Sequence, residues 1–562
     1  MENKKCRLCG ENFIVTDHEL QLRNKLSPEF AGKKFPIPSP NDCPDCRLKQ
    51  RLSYRAGNKF FSRKCDLTGK PIVSMYSPEK TFKVYEHDAW WSDQWDAMQY
   101  GRDFDFSRPL YDQLFKLFSD VPHAALLNTN TENSYYTNHG LNLKNCYLVT
   151  GVAESEDVMY GYFTIGCKDV LDSASLTNCQ YCYEGLTSGD CYLCKYFSNC
   201  RNCTECMMVE DCQGCTNCIG CFGLKNKQYY IYNQNVGKES YEKFVRENLT
   251  PLTHAKIESI HQKFNEIKIK LPHRHAYLYS CEDCTGDLVF NSKNCIWAFG
   301  TTQGEDSAYT FSSSQAINLC DCSFSGGKVG AQYSCNTLST IGQKFLFSWI
   351  HWLGNSSIFT MECHSCTDCF ACVGLKNKQY CVFNKQYTKE EYESLAAKIL
   401  EHMQKTNEWG EFFSPAKSPY AYNESVAQDY FPLEKNEAIA KGFVWSEYEP
   451  PKPNTEKIIK TSDLPEDIAQ AGQDVISSAI ECGVTGRPFI ITPNEFAFYK
   501  EQGIPLPRKH PEQRHKERMA IRNPIRLWPR KCSSCNKEIM SIYAPDRPEI
   551  VYCESCYQKL VI

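Results

Sequence analysis

The cysteines between residues 146 and 221 keep a period of three. Cys146, Cys167, Cys179, Cys182, Cys191, Cys194, Cys200, Cys203, Cys206, Cys212, Cys215, Cys218 and Cys221 share one phase. Neither an α-helix, with its 3.6-residue turn, nor a flat strand, with its two-residue alternation, has that period. A chain that turns a corner at every third residue does, pointing one small apolar side chain inward each time. Cysteine is among the most buried residue types and suits such a slot. Asn145, Asn178, Asp190, Asn199, Asn202, Asp211, Gly214 and Asn217, each just before a cysteine, are turn formers. The fold class read from this pattern is mixed and β-rich, with a β-solenoid body of stacked, reduced cysteines.

The body is written twice. Residues 218–229 recur as 369–380, a shift of 151, and Lys144-Asn145-Cys146 recurs as Lys293-Asn294-Cys295. Each copy is expected to close with a helix, near 238–268 and 388–405, and Thr388-x-x-Glu391 is a capping box for the second. The second copy keeps Cys363, Cys366, Cys369, Cys372 and Cys381. Upstream, Phe311, Phe324, Phe345, Phe347 and Trp349 read as filling the cysteine slots, which makes packing the common denominator. Two alternatives stand beside packing. Cys212, Cys215, Cys218 and Cys221 form a CxxCxxCxxC run of cluster-ligand type that lacks the Cys-Pro ending of ferredoxins, and the body cysteines have disulfide partners in reach.

The two ends are also copies of one another. From Cys43/His510 to Trp90/Tyr557 they align without a gap at an offset of 467. The first keeps Cys6, Cys9, Cys43 and Cys46, while its second site has decayed to Cys65, Thr68, Glu86 and Ala89. The last has lost the first site but keeps Cys532, Cys535, Cys553 and Cys556. Four soft ligands paired in CxxC turns are what a closed, structural Zn²⁺ site requires, so two such ions are expected. The 17-residue spacer of the C-terminal site suits a ribbon; the 33-residue spacer of the N-terminal one suits a treble clef with an extra segment. Cys482, His510 and His515 offer a three-ligand remnant.

The pattern CxxCG…F…E…P…CPxCR over Cys6, Cys9, Cys43 and Cys46 resembles the zinc-ribbon or treble-clef-like zinc fingers of cysteine-rich bacterial proteins. At the other end only Cys482 matches that motif. The resemblance implies zinc binding and no activity.

The resulting organisation is a zinc-finger module at 1–90, an aromatic connector at 91–133, solenoid copies at 134–270 and 271–410, a linker at 411–477 and a second zinc-finger module at 478–562. In the connector, Ser107 reads as the cap of a helix with Leu110, Leu114, Phe115, Leu117 and Phe118 on its apolar face, and Trp90, Trp91 and Trp95 read as core. A further helix is expected at 464–481, after the stiff Pro450-Pro451-Lys452-Pro453 segment.

Charge is unevenly spread. Residues 1–70 carry 15 Lys/Arg against 8 Asp/Glu and residues 478–562 carry 14 against 9, leaving −16 for the remainder of a chain of net charge −4. Basic ends on an acidic body point to nucleic acid, RNA, DNA or the ribosome, gripped by two arginine strips, Arg47/Arg51/Arg55 and Arg514/Arg518/Arg522/Arg526. A protein-interaction scaffold and a metal or redox store in the cysteine body are the alternatives. The sequence has no phosphate loop, dinucleotide fingerprint or HExxH, and a non-enzymatic protein is expected. A polar start, no long apolar run and abundant CxxC pairs point to the cytoplasm and away from membranes.

Overall fold

A computed structural model describes residues 1–325, 328–336, 341–455 and 457–561. In the first copy, strands stack into a twelve-stranded sheet, parallel with a constant stagger up to a closing antiparallel hairpin at Tyr230↔Asn235: Glu156 pairs with Lys168 and Lys168 with Gln180, then Lys195 with Met207 and Met207 with Ile219. Each step is 12 residues, or four of the three-residue units. The corners lie where the sequence puts its turn formers. Asn145, Asn178, Asp190, Asn199, Asn202, Asp211 and Asn217 all have φ between 52° and 54°, and Gly214 has 62°. A left-handed residue costs about 1–2 kcal/mol for most side chains and less for Asn or Asp. Corner side chains one step apart add bonds that offset it: Asn130 donates to Asn142 at 2.7 Å, Asn142 to Glu154 at 2.6 Å and Asn178 to Asp190 at 3.2 Å.

The residue after each corner is buried in a separate core made largely of thiols. Its environment explains the choice of cysteine. Cys203 Sγ donates to the carbonyls of Arg201 and Cys212, both at 3.5 Å. Ser188, one such slot along, uses its hydroxyl similarly, donating to Leu186 O at 2.9 Å and accepting from Cys200 N at 2.9 Å. The slot therefore takes a small side chain, and a donor there meets a carbonyl two residues back. All 34 cysteines are free thiols.

The second copy repeats this arrangement over nine- and five-stranded sheets. Its stagger is 12 except at Leu278↔Val289, where it is 11, and at Ala316↔Val329 and Lys328↔Ile341, where it is 13. Those two extra residues carry the shift between copies from 149 to 151. Four of the five aromatics read as occupying cysteine slots do not. Phe324 and Phe347 are themselves corners, at φ 55° and 51°. Phe311 and Trp349 fall one residue past the slot and pack on Tyr430 and Tyr54. Only Phe345 joins Leu319, Cys322 and Cys335 in an interior cluster; the other slots hold small residues such as Ser292, Cys295, Ala298, Thr301 and Ser307, because a 12-residue step leaves no room for four large ones.

Helices close both copies: Gly237–Asn248 and His254–Lys268 after the first, Lys389–Lys405 with the Thr388/Glu391 capping box after the second. The connector helix is Leu110–Asp120, and its expected apolar face is buried. Ser107 does not cap it. Its hydroxyl donates to Asp105, and Glu408, just past the closing helix of the second copy, accepts the Leu110 and Tyr111 N–H groups at 2.9 and 2.8 Å. Trp90 and Trp95 are buried as expected, whereas Trp91 is 42% exposed; together they surround Lys376 of the second copy. The helix expected at 464–481 is absent. Pro465 and Gly472 break the segment into two 3-10 turns, Ile468–Gln470 and Gln473–Val475, ahead of the strand Ala479–Glu481.

The two ends carry matching elements at the expected offset. Helix Pro44–Leu52 corresponds to Pro511–Ala520, strands Phe61–Lys64 and Pro71–Ser74 to Trp528–Lys531 and Glu538–Ser541, and helix His87–Trp91 to Glu554–Val561. Among the described residues no helix is long and apolar enough to cross a membrane.

Size and donor capacity together define the interior slot. Cys203→Leu should overfill it and lower stability by about 1–3 kcal/mol, with a smaller loss for Cys203→Ser, read from thermal unfolding midpoints. A serine variant less stable than the leucine variant would contradict this account.

Candidate metal centres

Each four-cysteine centre joins a β-knuckle to a helix start. In the N-terminal centre, Cys6 and Cys9 lie on the turn between strands Glu2–Lys5 and Asn12–Val15, closed by Gly10 at φ 76°, a conformation glycine adopts without strain. Cys43 caps the helix Pro44–Leu52 and Cys46 sits in its first turn. In the C-terminal centre, Cys532 and Cys535 lie between Trp528–Lys531 and Glu538–Ser541, with Asn536 at φ 60° in the glycine's place, and Cys553 and Cys556 begin the last helix. In both clusters one ligand atom from each cysteine lies within 4.8 Å of all the others. The sulfurs of Cys9 and Cys43 lie 3.7 Å apart and those of Cys535 and Cys553 3.8 Å apart.

The surroundings favour thiolate at Cys43, Cys532 and Cys553, whereas burial pushes Cys9 up to about 11 and neighbouring thiols push Cys535 up to about 11. Cys43 N–H points at Cys6 Sγ at 3.3 Å, and Cys553 N–H at Cys532 Sγ at 3.3 Å. Two helix N-termini add positive potential. Hydrogen bonding from Cys46 and backbone N–H groups pulls the Cys43 thiol down to about 5 against burial. Burial raises Cys532, but the N–H groups of Cys553 and Cys535 outweigh it and bring the thiol down to about 6. Four sulfurs, pre-gathered and supplied with N–H donors, fit a tetrahedral soft-metal site in which the protein fills every position.

The decayed sites keep their shape by hydrogen bonding. Thr68 and Glu86 N–H groups converge on Cys65 Sγ at 3.5 and 3.3 Å, and Thr485 N–H meets Cys482 Sγ at 3.5 Å. The remnant Cys482/His510/His515 does not assemble: His510 Nδ1 caps its own helix by accepting from Glu512 N, and His515 Nε2 faces Asp429 at 3.3 Å. Among the described residues the body cysteines form no group of three or more converging ligand atoms, Cys212/Cys215/Cys218/Cys221 included. The third converging group, Glu19/Cys320/Asp321, is occupied by arginines.

Those arginines overturn the expectation of a basic nucleic-acid surface. Arg47, Arg51 and Arg55 are at most 9% exposed, and Arg514 and Arg518 at most 5%. Asp321, a corner of the second copy, accepts from Arg47 at 3.0 Å, Arg51 at 3.1 Å and Arg23 at 3.3 Å, while Glu19 takes the other side of Arg23 at 2.8 Å. Asp172, the corner 149 residues earlier, accepts from Arg514 and from Arg518 at 3.0 Å; Glu495 meets Arg514 at 3.2 Å and Glu184 meets Arg518 at 3.0 Å. The N-terminal module is thus pinned to the second copy and the C-terminal module to the first. Arg55 lies over the Phe324 ring at 3.9 Å, Arg522 donates to Tyr430 Oη at 2.8 Å, and the half-exposed Arg526 bridges to Glu11 at 3.1 Å and Asp45 at 3.7 Å. Asp172 and Asp321 went unnoticed in the sequence; the signal available was an acidic corner at equivalent positions of both copies.

Removing either aspartate leaves buried guanidiniums uncompensated. Asp321→Ala and Asp172→Ala should each lower stability by about 3–5 kcal/mol in urea denaturation. Burial raises the Asp321 carboxyl, but Arg47, Arg51 and Arg23 outweigh it and hold the group below its ordinary value. Its contribution is therefore complete above the unfolded pKa of about 3.9 and is lost as pH falls through the lower folded value. Acid unfolding of Asp321→Ala should be correspondingly less steep than that of the parent.

No protein-family model matches this chain, and no curated protein matches it significantly.

Proposed function

We propose that this chain is a zinc-binding, non-enzymatic recognition scaffold in which two treble-clef-like terminal modules lock a duplicated β-solenoid. The observation that carries the reading is the pair of four-thiol clusters, each with its ligand atoms within 4.8 Å of one another. Sulfur-only coordination suits zinc rather than hard cations, and a site closed by four protein ligands leaves no position for a substrate. The constant 12-residue parallel stagger and the left-handed corner at every third residue support the solenoid. Metal storage in the body is disfavoured because the interior thiols already donate to backbone carbonyls.

Arg47, Arg51, Arg514 and Arg518 of the terminal strips are spent on docking, so recognition passes from the ends to the body and the clefts around it. This displaces the reading in which terminal strips hold RNA, DNA or the ribosome, and strengthens the scaffold reading.

Elemental analysis after purification without chelator should give two zinc ions per chain, one for each cluster. Cys553→Ser should release one and unfold the C-terminal module while the N-terminal site stays loaded. Substoichiometric zinc in fully reduced, freshly purified protein would sink the metal reading.

A further inference from the structure

Where the two body copies face one another, equivalent positions are filled on one side and vacant on the other. On the filled side, corner residues Phe163 of the first copy and Phe324 of the second stack with centroids 5.0 Å apart and planes at 22°. Arg55 lies over both rings, 3.9 Å from Phe324 and 5.3 Å from Phe163. Gly151 forms the floor: a Cβ there would meet the Phe163 ring at 2.4 Å.

The same positions in the other copy follow from the shift of 149. Phe163 becomes Ser312, Phe324 becomes Ser175 and Gly151 becomes Gly300; the module offset of 467 turns Arg55 into Arg522. All four of these line one cavity of about 540 Å³, which Gly151 and Phe163 of the filled position also border. A Cβ on Gly300 would meet only the Ser312 backbone, at 3.5 Å. Two rings are missing, and the guanidinium that would cover them is present. That volume lies within the range of ligand sites.

The cavity is also cationic within an acidic body. Arg201, Lys268, Arg522 and Arg547 line it against Glu210 and Asp287. Lys268 pairs with Glu210 at 2.5 Å and Arg547 pairs with Glu549. Asp287 accepts from Tyr277 N–H at 2.9 Å, and burial raises its carboxyl to about 6. Arg201 and Arg522 have no carboxylate partner among the described residues. Arg201 lies on the Phe290 ring at 4.5 Å and Arg522 on the Tyr430 ring at 4.6 Å.

We infer that this cavity binds a nucleoside phosphate, free or as one unit of a single strand, with the base in the ring-sized gap over Gly300 beside Arg522 and the phosphate toward Arg201. Bases stack on aromatic and guanidinium planes, and an arginine without a carboxylate partner is the usual phosphate contact. The inference deepens the recognition reading and rests on it, but not on the identity of the metal.

The test is isothermal titration of the full chain with AMP, with adenosine, with inorganic phosphate and with a single-stranded oligoadenylate. Saturable binding of AMP, or of the oligonucleotide alone, supports the proposal and distinguishes a free nucleotide from a strand. Arg522→Ala and Arg201→Ala should each weaken binding about tenfold. Ser312→Phe rebuilds the ring present on the filled side and should abolish binding with zinc content and circular dichroism unchanged. If Ser312→Phe fails to fold, the arginine variants still decide. No binding of either nucleotide probe, adenosine binding as tightly as AMP, or affinity unchanged in both arginine variants would overturn the proposal. Intact zinc content in that negative case would separate its failure from failure of the metal reading.

Discussion

Two buried aspartates hold the molecule together. Asp321 and Asp172 occupy equivalent corners of the two body copies, and each draws in arginines from a terminal module remote in sequence. A corner aspartate has a local reason to exist, since it tolerates the left-handed backbone better than most residues. Once there, it is aimed at whatever lies against that face. Unpaired guanidiniums and carboxylates at these depths would be costly, so module and body specify each other's position. Hydrogen bonds extend the same cross-docking: Tyr76 of the N-terminal module donates to Glu362 at 2.6 Å, and Tyr557 of the C-terminal module donates to Asp211 at 2.6 Å. Glu362 and Asp211 are again equivalent corners, 151 residues apart.

The narrowness of the body is the second constraint. With 12 residues per step, the interior admits four small side chains per level, and cysteine and serine place a donor where a carbonyl waits. That is why the copies can exchange cysteine for serine, threonine or alanine without changing their stagger, and why bulky aromatics move to corners or outer faces. The four-cysteine clusters need neither the narrow core nor the clamps for their own geometry. They need a knuckle, a helix start and four thiols, and each module keeps one complete set and one decayed set whose shape survives through N–H···S bonds.

Duplication followed by unequal filling leaves a cavity where the copies meet. A chain made of two bodies and two modules has two equivalent places at each interface. Phe163 and Phe324 close one of them, while Ser175 and Ser312 leave the other open. An interface can thus hold the copies together on one side and keep a cavity on the other.

The sequence by itself determined the local rules. The three-residue phase marked the corners, because a left-handed turn favours Asn, Asp and Gly and the following slot favours a small buried side chain. The spacing of Cys6/Cys9/Cys43/Cys46 and Cys532/Cys535/Cys553/Cys556 marked the four-thiol clusters, because a knuckle and a helix turn are themselves local. Tertiary structure alone decided where the charges went. Arg47, Arg51, Arg514 and Arg518 look like exposed basic strips when only neighbours along the chain are counted, since a charge run ordinarily lies on a solvated face. Their partners lie roughly 270 to 350 residues away. Phe324 and Phe347 were misassigned for a related reason: two single-residue increases in stagger, at Ala316↔Val329 and Lys328↔Ile341, shift the phase within the second copy, and only strand pairing reveals them. The decay of one site in each module was written in the sequence, but the docking that makes the two modules one structure was not, because it depends on which corner of which copy each helix meets.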